Sequence, residues 1–358
     1  MDAASPLSLM VADGFEEVAY GHDAATGLRA IVAVHSTVLG PALGGTRFWP
    51  YPDEGAALVD ACRLAKGMTY KHAAAGLHQG GGKAVILGDP AVLRSDELIR
   101  AYAHFVDGLA GRYITAEDVG TTQADMDLVR TVTPHVTGVS EALGGSGDPS
   151  PATALGVLWA MRAVARRLWG TDSLEGRHVC ISGVGKVGSA LADHLHAEGA
   201  RLTVADVRPA ALEAVVARTG ATVVAPEAAH AVACDLFAPC ALGAVFDGGT
   251  VGELACAAVA GSANNQLATD EDDDRLAAAG ILYVPDYIAN AGGVINIAHE
   301  HGGYDREAAE RQIAGIYETT LRVFELAERD AITTAEAADR YAEERIEVAR
   351  AGRRPQPS

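Results

Sequence analysis

A chain of 358 residues, about half apolar and a fifth charged, has the make-up of an ordinary soluble protein with room for two domains. No run approaches the roughly 20 unbroken apolar residues of a membrane helix, and a net charge of −19 without a basic patch excludes nucleic acid and anionic membrane as partners. The five scattered cysteines (Cys62, Cys180, Cys234, Cys240, Cys256) contain no C-x-x-C pair, and the N-terminus lacks an export signal's basic start and apolar core, so a reducing cytoplasm is expected, with no disulfide framework and no metal site.

Residues 29–39 (RAIVAVHSTVL) follow a turn at Ala25-Thr26-Gly27 and predict a strand in a hairpin with residues 15–20. Behind an Asp53 cap, Leu58, Ala61, Cys62, Ala65 and Met68 recur at helical spacing. Lys83 opens KAVILG, a buried-strand pattern. A helix over 95–111, with Leu98, Tyr102, Phe105 and Leu109 on one face, leads into a strand, YITAED, at 113–118. Lys83 and Asp118 are thereby expected at strand ends, where a side chain can face a cleft. GVSEALGGSGDPSP at 138–151 predicts a hinge, which divides the chain into 1–145 and 146–329. After a helix at 152–169, strands at 177–182, 201–206, 221–224, 234–237, 256–260 and 281–284 alternate with helical segments. That order predicts a parallel, doubly wound sheet. The acidic run Glu271 to Asp274 reads as a solvated helix start. The tail from 304 is helical, with Ile313, Ile316, Thr320, Val323 and Leu326 on one stripe, and 330–358 is expected to pack on the first domain.

Within the second half, RHVCISGVGKVG runs from an apolar strand into Gly183-Val184-Gly185-Lys186-Val187-Gly188, then Ser189 and a helix, then a strand ending at Asp206. Gly183 permits a tight turn, Gly185 lets a pyrophosphate reach the backbone, and Gly188 lets helix and strand pack closely. The helix N-terminus holds the anion. Asp206 can accept from both ribose hydroxyls and repels a 2′-phosphate, which favours NAD over NADP, while Arg208 two residues on works the other way.

A second constellation is GPALGGTRF (40–48), KGMTYKHAAAGLHQGGGKAVI (66–86) and TAEDVGTTQADMD (115–127). Three successive glycines, Gly80-Gly81-Gly82, cost entropy and suggest a backbone that something such as a substrate must approach. Amine oxidation needs a cation for the carboxylate, a base, and a group that handles the nitrogen's proton. Lys71 and Lys83 could supply the first two, with repulsion and desolvation favouring the neutral form of one. Asp118 could supply the third. From spacing alone, however, the lysines read as surface residues and Asp118 as a helix cap.

With these blocks in order, and with RLAKGMTYK, GSGDPSPATALGV, FAPCALG, ANNQLA and PDYIANAGGVIN, the chain resembles the Glu/Leu/Phe/Val dehydrogenase family, its leucine and valine dehydrogenases above all, from about residue 13 to 345. The resemblance implies an α/β fold of two domains: an N-terminal substrate domain and a Rossmann-type NAD-binding domain. By position, it implies that Lys71 binds the substrate carboxylate, Lys83 is the general base that activates water, and Asp118 shuttles protons at the substrate nitrogen. Gly44, Gly45 and Met68 would line the substrate site, and Asn265 and Asn290 would bridge the substrate and nicotinamide regions. Thr153, Ala238, Cys240, Ala241 and Ala263 would join residues 183–189 and Asp206 around the cofactor. The implied reaction is reversible oxidative deamination of an L-amino acid, giving a 2-oxo acid and ammonia, in a homo-oligomer whose domains close around a cleft.

Glutamate-specific relatives carry a lysine where this chain has Leu43, so a buried side-chain carboxylate would lack a partner. With Ala116, Val294 and Ile297 also apolar, a branched-chain substrate is expected; phenylalanine is the alternative, and a non-catalytic NAD-binding regulator a more distant one. Relatives carry asparagine at position 72. The histidine here could tune Lys71 or simply pack. The His299-Glu300-His301 cluster reads as helix surface.

Overall fold

The computed structural model describes residues 6–241, 243–300 and 303–353. His301 lies outside them. The chain divides into two compact units, one running to Asp148 and including Ile297–Arg306 and the residues from Ala342 on, the other comprising Pro149–Asn296 and Glu307–Tyr341. No helix among the described residues is long and apolar enough to cross a membrane.

The first unit contains α1 (Pro6–Asp13), β1 (Glu17–Asp23), β2 (Leu28–Ser36), β3 (Ala42–Trp49), α2 (Glu54–Ala74), β4 (Gly80–Leu87), α3 (Pro90–Leu93), α4 (Asp96–Asp107), β5 (Tyr113–Glu117) and α5 (Gln123–Arg130). The sheet runs β1-β2-β4-β3-β5. The hairpin forms as β1 and β2, β2 meets β4 antiparallel, and β4, β3 and β5 run parallel. Alternation of side chains along each strand divides the core in two. On one face Val32, Phe48, Ala84, Ile86 and Tyr113 pack with α4 and α5 through Leu98, Tyr102 and Met126. On the other, Ile31, Ala33, Val85 and Leu87 pack against Ala57, Ala61 and Ala65 of α2. The α2 start is capped as its sequence implies, Asp53 accepting from the Ala56 N–H at 2.8 Å. Strand β3 is not signalled by local propensity, because Pro41 and the Gly44-Gly45 pair weaken it; its parallel partners on both sides hold it.

The second unit opens with α6 (Ser150–Trp169) and continues as β6 (His178–Ser182), α7 (Lys186–Ala197), β7 (Arg201–Ala205), α8 (Pro209–Thr219), β8 (Thr222–Val223), β9 (Cys234–Pro239), β10 (Cys256–Val259), α9 (Glu271–Ala278), β11 (Leu282–Tyr283), α10 (Asp286–Ala289), α11 (Gly292–Ala298), α12 (Arg306–Ala314), α13 (Ile316–Asp330) and the start of α14 (Thr334–Arg353). The residues of α14 from Ala342 on, like the end of α11 from Ile297, belong to the first unit. Its sheet is parallel throughout, in the order β11-β10-β9-β6-β7-β8. The chain thus starts at the centre, winds outward to β8, and returns to place β9 beside β6. That reversal is the switch point at which doubly wound sheets leave a crevice beyond their carboxyl ends.

Two expectations change here. The acidic run at α9 is not wholly solvated: Asp272 and Asp273 are buried, Asp272 accepting from Thr269 N–H and Oγ1 (2.8 and 2.9 Å) and Asp273 from the Ala335 N–H (3.0 Å). The helical tail is broken at Gly315 and again after Asp330, although Ile313, Ile316, Thr320 and Val323 are buried as the stripe requires.

Candidate active site

The face of the first sheet that carries α2 also carries the polar centre. Strand alternation puts Leu43, Gly45 and Arg47 of β3 on that face, with Gly81 and Lys83 of β4 and, from β5 onward, Ala116 and Asp118. Lys83 is not at a strand end, as expected, but within β4, and its side chain is only 8% exposed. Its Nζ pairs with Oδ2 of Asp118.

Asp118 follows β5 on a short loop whose backbone leaves little freedom. Its N–H donates to Thr121 Oγ1 (2.9 Å), and that hydroxyl donates to the Thr46 carbonyl (2.9 Å). Gly120, at φ +83°, lies so close to β3 that a Cβ would stand 1.9 Å from the Phe48 carbonyl. Burial alone would raise the Asp118 carboxyl, but the Lys83 ammonium and then the Arg47 guanidinium outweigh it, and the group is held below the ordinary carboxylate range.

The glycines have a different cause from the one first inferred. A Cβ on Gly80 would meet the Ser36 carbonyl at 1.9 Å; on Gly81, Thr69 of α2 at 2.1 Å; on Gly82, the Tyr113 ring at 2.8 Å. The run is required by the protein's own packing, which seats α2 and β5 tightly around the segment leading to Lys83. Gly44 is crowded by the Gly82 carbonyl (1.8 Å), and its own carbonyl accepts from Tyr113 Oη at 2.5 Å. Gly45 leaves room for Asp118: a Cβ there would stand 2.8 Å from the aspartate's Cβ.

Lys71 and Met68 lie one turn apart on α2, both half-buried. His72 is fully buried. Its Nδ1–H donates to the Gly80 carbonyl at 2.7 Å, and burial pushes its pKa down to about 4. The departure from asparagine therefore packs as a neutral ring that pins α2 to the start of β4. Arg345, which sequence reasoning missed, donates to the carbonyls of His72, Ala73 and Leu77 (2.8–3.1 Å) and so closes the end of α2.

In the second unit the fingerprint glycines separate by environment. Gly183 (φ +98°) packs against Ala241, and a Cβ on Gly188 would stand 2.0 Å from the Gly183 carbonyl. Above Gly185, by contrast, the nearest group is Arg208 Nη2 at 3.6 Å. An open cradle at the N-terminus of α7, amid two crowded glycines, is the shape a pyrophosphate needs. Val184, Lys186, Val187 and Ser189 lie around it. Asp206, at the end of β7, accepts from the Val184 N–H (2.8 Å) and from Arg208 Nε and Nη2 (3.1 and 3.2 Å), and these bonds hold its carboxyl down. Ala238 lies at the end of β9 and Cys240 and Ala241 directly follow it, on the other side of the switch point, and Ala263 donates its N–H to the Pro239 carbonyl (2.9 Å). Asn290 donates to the Ser262 carbonyl and Asn264 Oδ1, leaving its own Oδ1 buried with no hydrogen-bond partner among the described residues. Asn265 sits at φ +52°, its N–H on the Asp286 carboxylate. Thr153 Oγ1 donates to the Pro149 carbonyl (3.0 Å) and abuts Gly293. The open cradle and the orphaned amide oxygen fit a dinucleotide.

Leu43 and Ala116 share the Lys83 face, Ile297 belongs to the same unit, and Val294 belongs to the second. Sequence reasoning assigned nothing to Arg47, although it stands two residues beyond Gly45, the strand spacing that puts both on one face. Glu300 is not mere helix surface: its carboxylate accepts from Thr137 Oγ1, Gly138 N–H, and the N–H and Oγ of Ser146, at 2.6–2.9 Å. Among the described residues no cluster of three His, Cys, Asp or Glu is placed to hold a metal ion.

Residues 17–135 match the family model for the Glu/Leu/Phe/Val dehydrogenase dimerisation domain, and residues 144–212 and 207–351 that for glutamate/leucine/phenylalanine/valine dehydrogenase. The chain is 52% identical to a leucine dehydrogenase of Geobacillus stearothermophilus over 95% of its length and 93% of that protein's. It is 50% identical to a valine dehydrogenase of Streptomyces albus, over 95% and 94% respectively. Among solved structures, L-tryptophan dehydrogenase from Nostoc punctiforme superposes with a TM-score of 0.86 at 42% identity, covering 96% of this chain and 99% of that one.

Proposed function

The chain belongs to the Glu/Leu/Phe/Val dehydrogenase family, and from that premise we propose that it catalyses the reversible, NAD-linked oxidative deamination of a branched-chain L-amino acid (leucine, valine or isoleucine) to its 2-oxo acid and ammonia. The observation that carries this reading is buried Lys83 paired with Asp118 on a sheet face that also carries Leu43, Gly45, Arg47 and Ala116.

In this reading Lys71 binds the substrate carboxylate, and Gly44, Gly45 and Met68 shape the space beside it. Asp118 takes the proton from the substrate's ammonium, leaving the amine. A bound NAD would supply the acceptor for the Cα hydride, the two-electron oxidation that leaves the substrate carbon as an iminium. Lys83 takes a proton from water, whose oxygen adds to the iminium carbon, and Asp118 returns its proton to nitrogen. The carbon–nitrogen bond breaks as the carbinolamine hydroxyl gives up its proton; ammonia takes that proton and leaves as ammonium with the 2-oxo acid, and Lys83 releases its own proton to solvent. Residues 183–189 would cradle the pyrophosphate and Asp206 the adenosine ribose, with Thr153, Ala238, Cys240, Ala241 and Ala263 also on the cofactor side and Asn265 and Asn290 bridging the substrate and nicotinamide regions.

Leu43, with Ala116, Val294 and Ile297, argues against an acidic side chain, since a carboxylate buried without a partner costs several kcal/mol. The match to leucine and valine dehydrogenases at about 50% identity supports an aliphatic one. The description of the first matched model as a dimerisation domain supports a homo-oligomer, and five unpaired cysteines suit a reducing cytoplasm. The test is NADH formation, followed by absorbance, with L-leucine, valine, isoleucine, phenylalanine, tryptophan and glutamate and with NAD or NADP. The highest kcat/KM is expected for a branched-chain substrate with NAD. Larger values for the two aromatic amino acids would move the assignment to them, and no turnover by folded protein with any of the six would overturn it.

A further inference from the structure

We propose that Arg47 is a positioning residue for this reaction: it keeps the Asp118 carboxylate aimed, and ionised whenever it must accept the substrate's proton, while the charge on Lys83 changes through the cycle. The inference rests on the reading of Asp118 as the proton shuttle.

Arg47 lies two residues beyond Gly45 on β3, so its side chain leaves the same face that faces Asp118. Its guanidinium bridges two carboxylates from different elements. Nη1 donates to Asp60 of α2 at 2.9 Å, and Nε stands 3.7 Å from Oδ2 of Asp118, the oxygen that also pairs with Lys83. Asp60 is itself fixed by Tyr51, whose hydroxyl donates to it at 2.6 Å, and approached by Arg63 at 3.6 Å. Asp60 and Asp118 are only 16% and 20% exposed, so this is not a solvated surface pair.

The groups facing Asp118 are thus Lys83 from β4 and Arg47 from β3, and those on the far side of Arg47 are Asp60, Tyr51 and Arg63. A lysine that takes a proton from water alternates between neutral and charged. A guanidinium stays charged throughout. If Lys83 were the sole cation beside Asp118, the carboxylate would lose its partner at the step that needs Lys83 uncharged, and it would tend to take up a proton or turn away. Arg47 supplies the constant charge, and Asp60 keeps it in place.

The experiment measures kcat/KM for the best amino acid against pH in wild type, Arg47→Gln, Arg47→Lys, Asp60→Asn, Asp118→Asn and the Arg47→Gln/Asp118→Asn double variant, each checked for folding. In Arg47→Gln the acid limb moves up by about half to one pH unit, the shift of a partly exposed opposite charge, and kcat falls roughly 10- to 100-fold while KM changes less than about threefold. Arg47→Lys restores most of the limb position. In the Asp118→Asn background Arg47→Gln adds less than about a twofold loss, because its partner is gone. Asp60→Asn moves the limb the opposite way, downward, by freeing Arg47 for Asp118, which keeps the inference testable if Arg47→Gln does not fold. An unmoved limb in Arg47→Gln, an equal loss in both backgrounds, or a limb that fails to fall in Asp60→Asn overturns the role of Arg47. Wild-type turnover in Asp118→Asn instead overturns the reading beneath it, and the two failures are told apart by that variant alone.

Discussion

Replacing Gly45 with alanine tests whether the glycine pair serves the Lys83–Asp118 geometry. The added Cβ would stand 2.6 Å from the Glu117 carbonyl oxygen and 2.8 Å from the Asp118 Cβ. Carbon–carbon contacts settle at about 3.5 Å or more, so the start of the 118–121 loop must retreat by roughly 0.7 Å. Overpacking of this kind costs about 1–3 kcal/mol. Misplacement of a reacting group by about 1 Å can cost 10²-fold, so kcat is expected to fall roughly 10- to 100-fold. Because Gly45 belongs to the first unit and the nucleotide fingerprint to the second, NADH binding, read by fluorescence, should change less than about twofold. Gly67→Ala on α2 is the control: its Cβ meets nothing within 4 Å, and helix propensity predicts a gain of about 0.5–1 kcal/mol with kcat intact. A folded Gly45→Ala enzyme with kcat within twofold of wild type would refute the reasoning.

The fingerprint glycines should separate in the same way. Gly188→Ala, with a Cβ 2.0 Å from the Gly183 carbonyl, is expected to lower the melting temperature and soluble yield, whereas Gly185→Ala should leave stability near wild type and weaken NADH binding at least about tenfold, measured by titration; equal melting temperatures would contradict the assigned roles. His72 gives a pH test. Its folded pKa of about 4 lies below the ordinary histidine value of about 6.5, so between these pH values the unfolded chain binds the extra proton. Stability from the neutral ring is present above about pH 6.5 and lost as pH falls to about 4, up to about 3 kcal/mol. His72→Asn should flatten that part of the urea-midpoint profile; an unchanged wild-type slope in the variant would rule the ring out as its source.

What could be read from the sequence was what is local and contiguous. The fingerprint spells strand, turn and helix in one run, and the positions of Gly183, Gly185 and Gly188 follow from the tasks of each. The Asp53 cap and the α4 face were equally plain. What escaped is set by contacts between segments far apart in sequence. Strand β3 has poor local propensity and exists because β4 and β5 flank it. The glycines at 80–82 looked like room for a ligand, yet they are filled by Ser36, Thr69 and Tyr113. Lys83 looked like a strand end because glycines precede it, whereas the strand begins at Gly80 and tolerates them since its partners fill the space. Arg47, Asp60 and Arg345 carry no motif of their own. Arg345 meets its carbonyls across more than 260 residues of chain, a pairing that no local window reveals.

The most direct test of the central claim is turnover by Lys83→Ala alongside its affinity for NADH. The account predicts a loss of about 10²–10⁴ in kcat, the usual worth of a general base, with NADH binding within about twofold of wild type and a folded protein by circular dichroism. NADH production at the wild-type rate by that variant would contradict it.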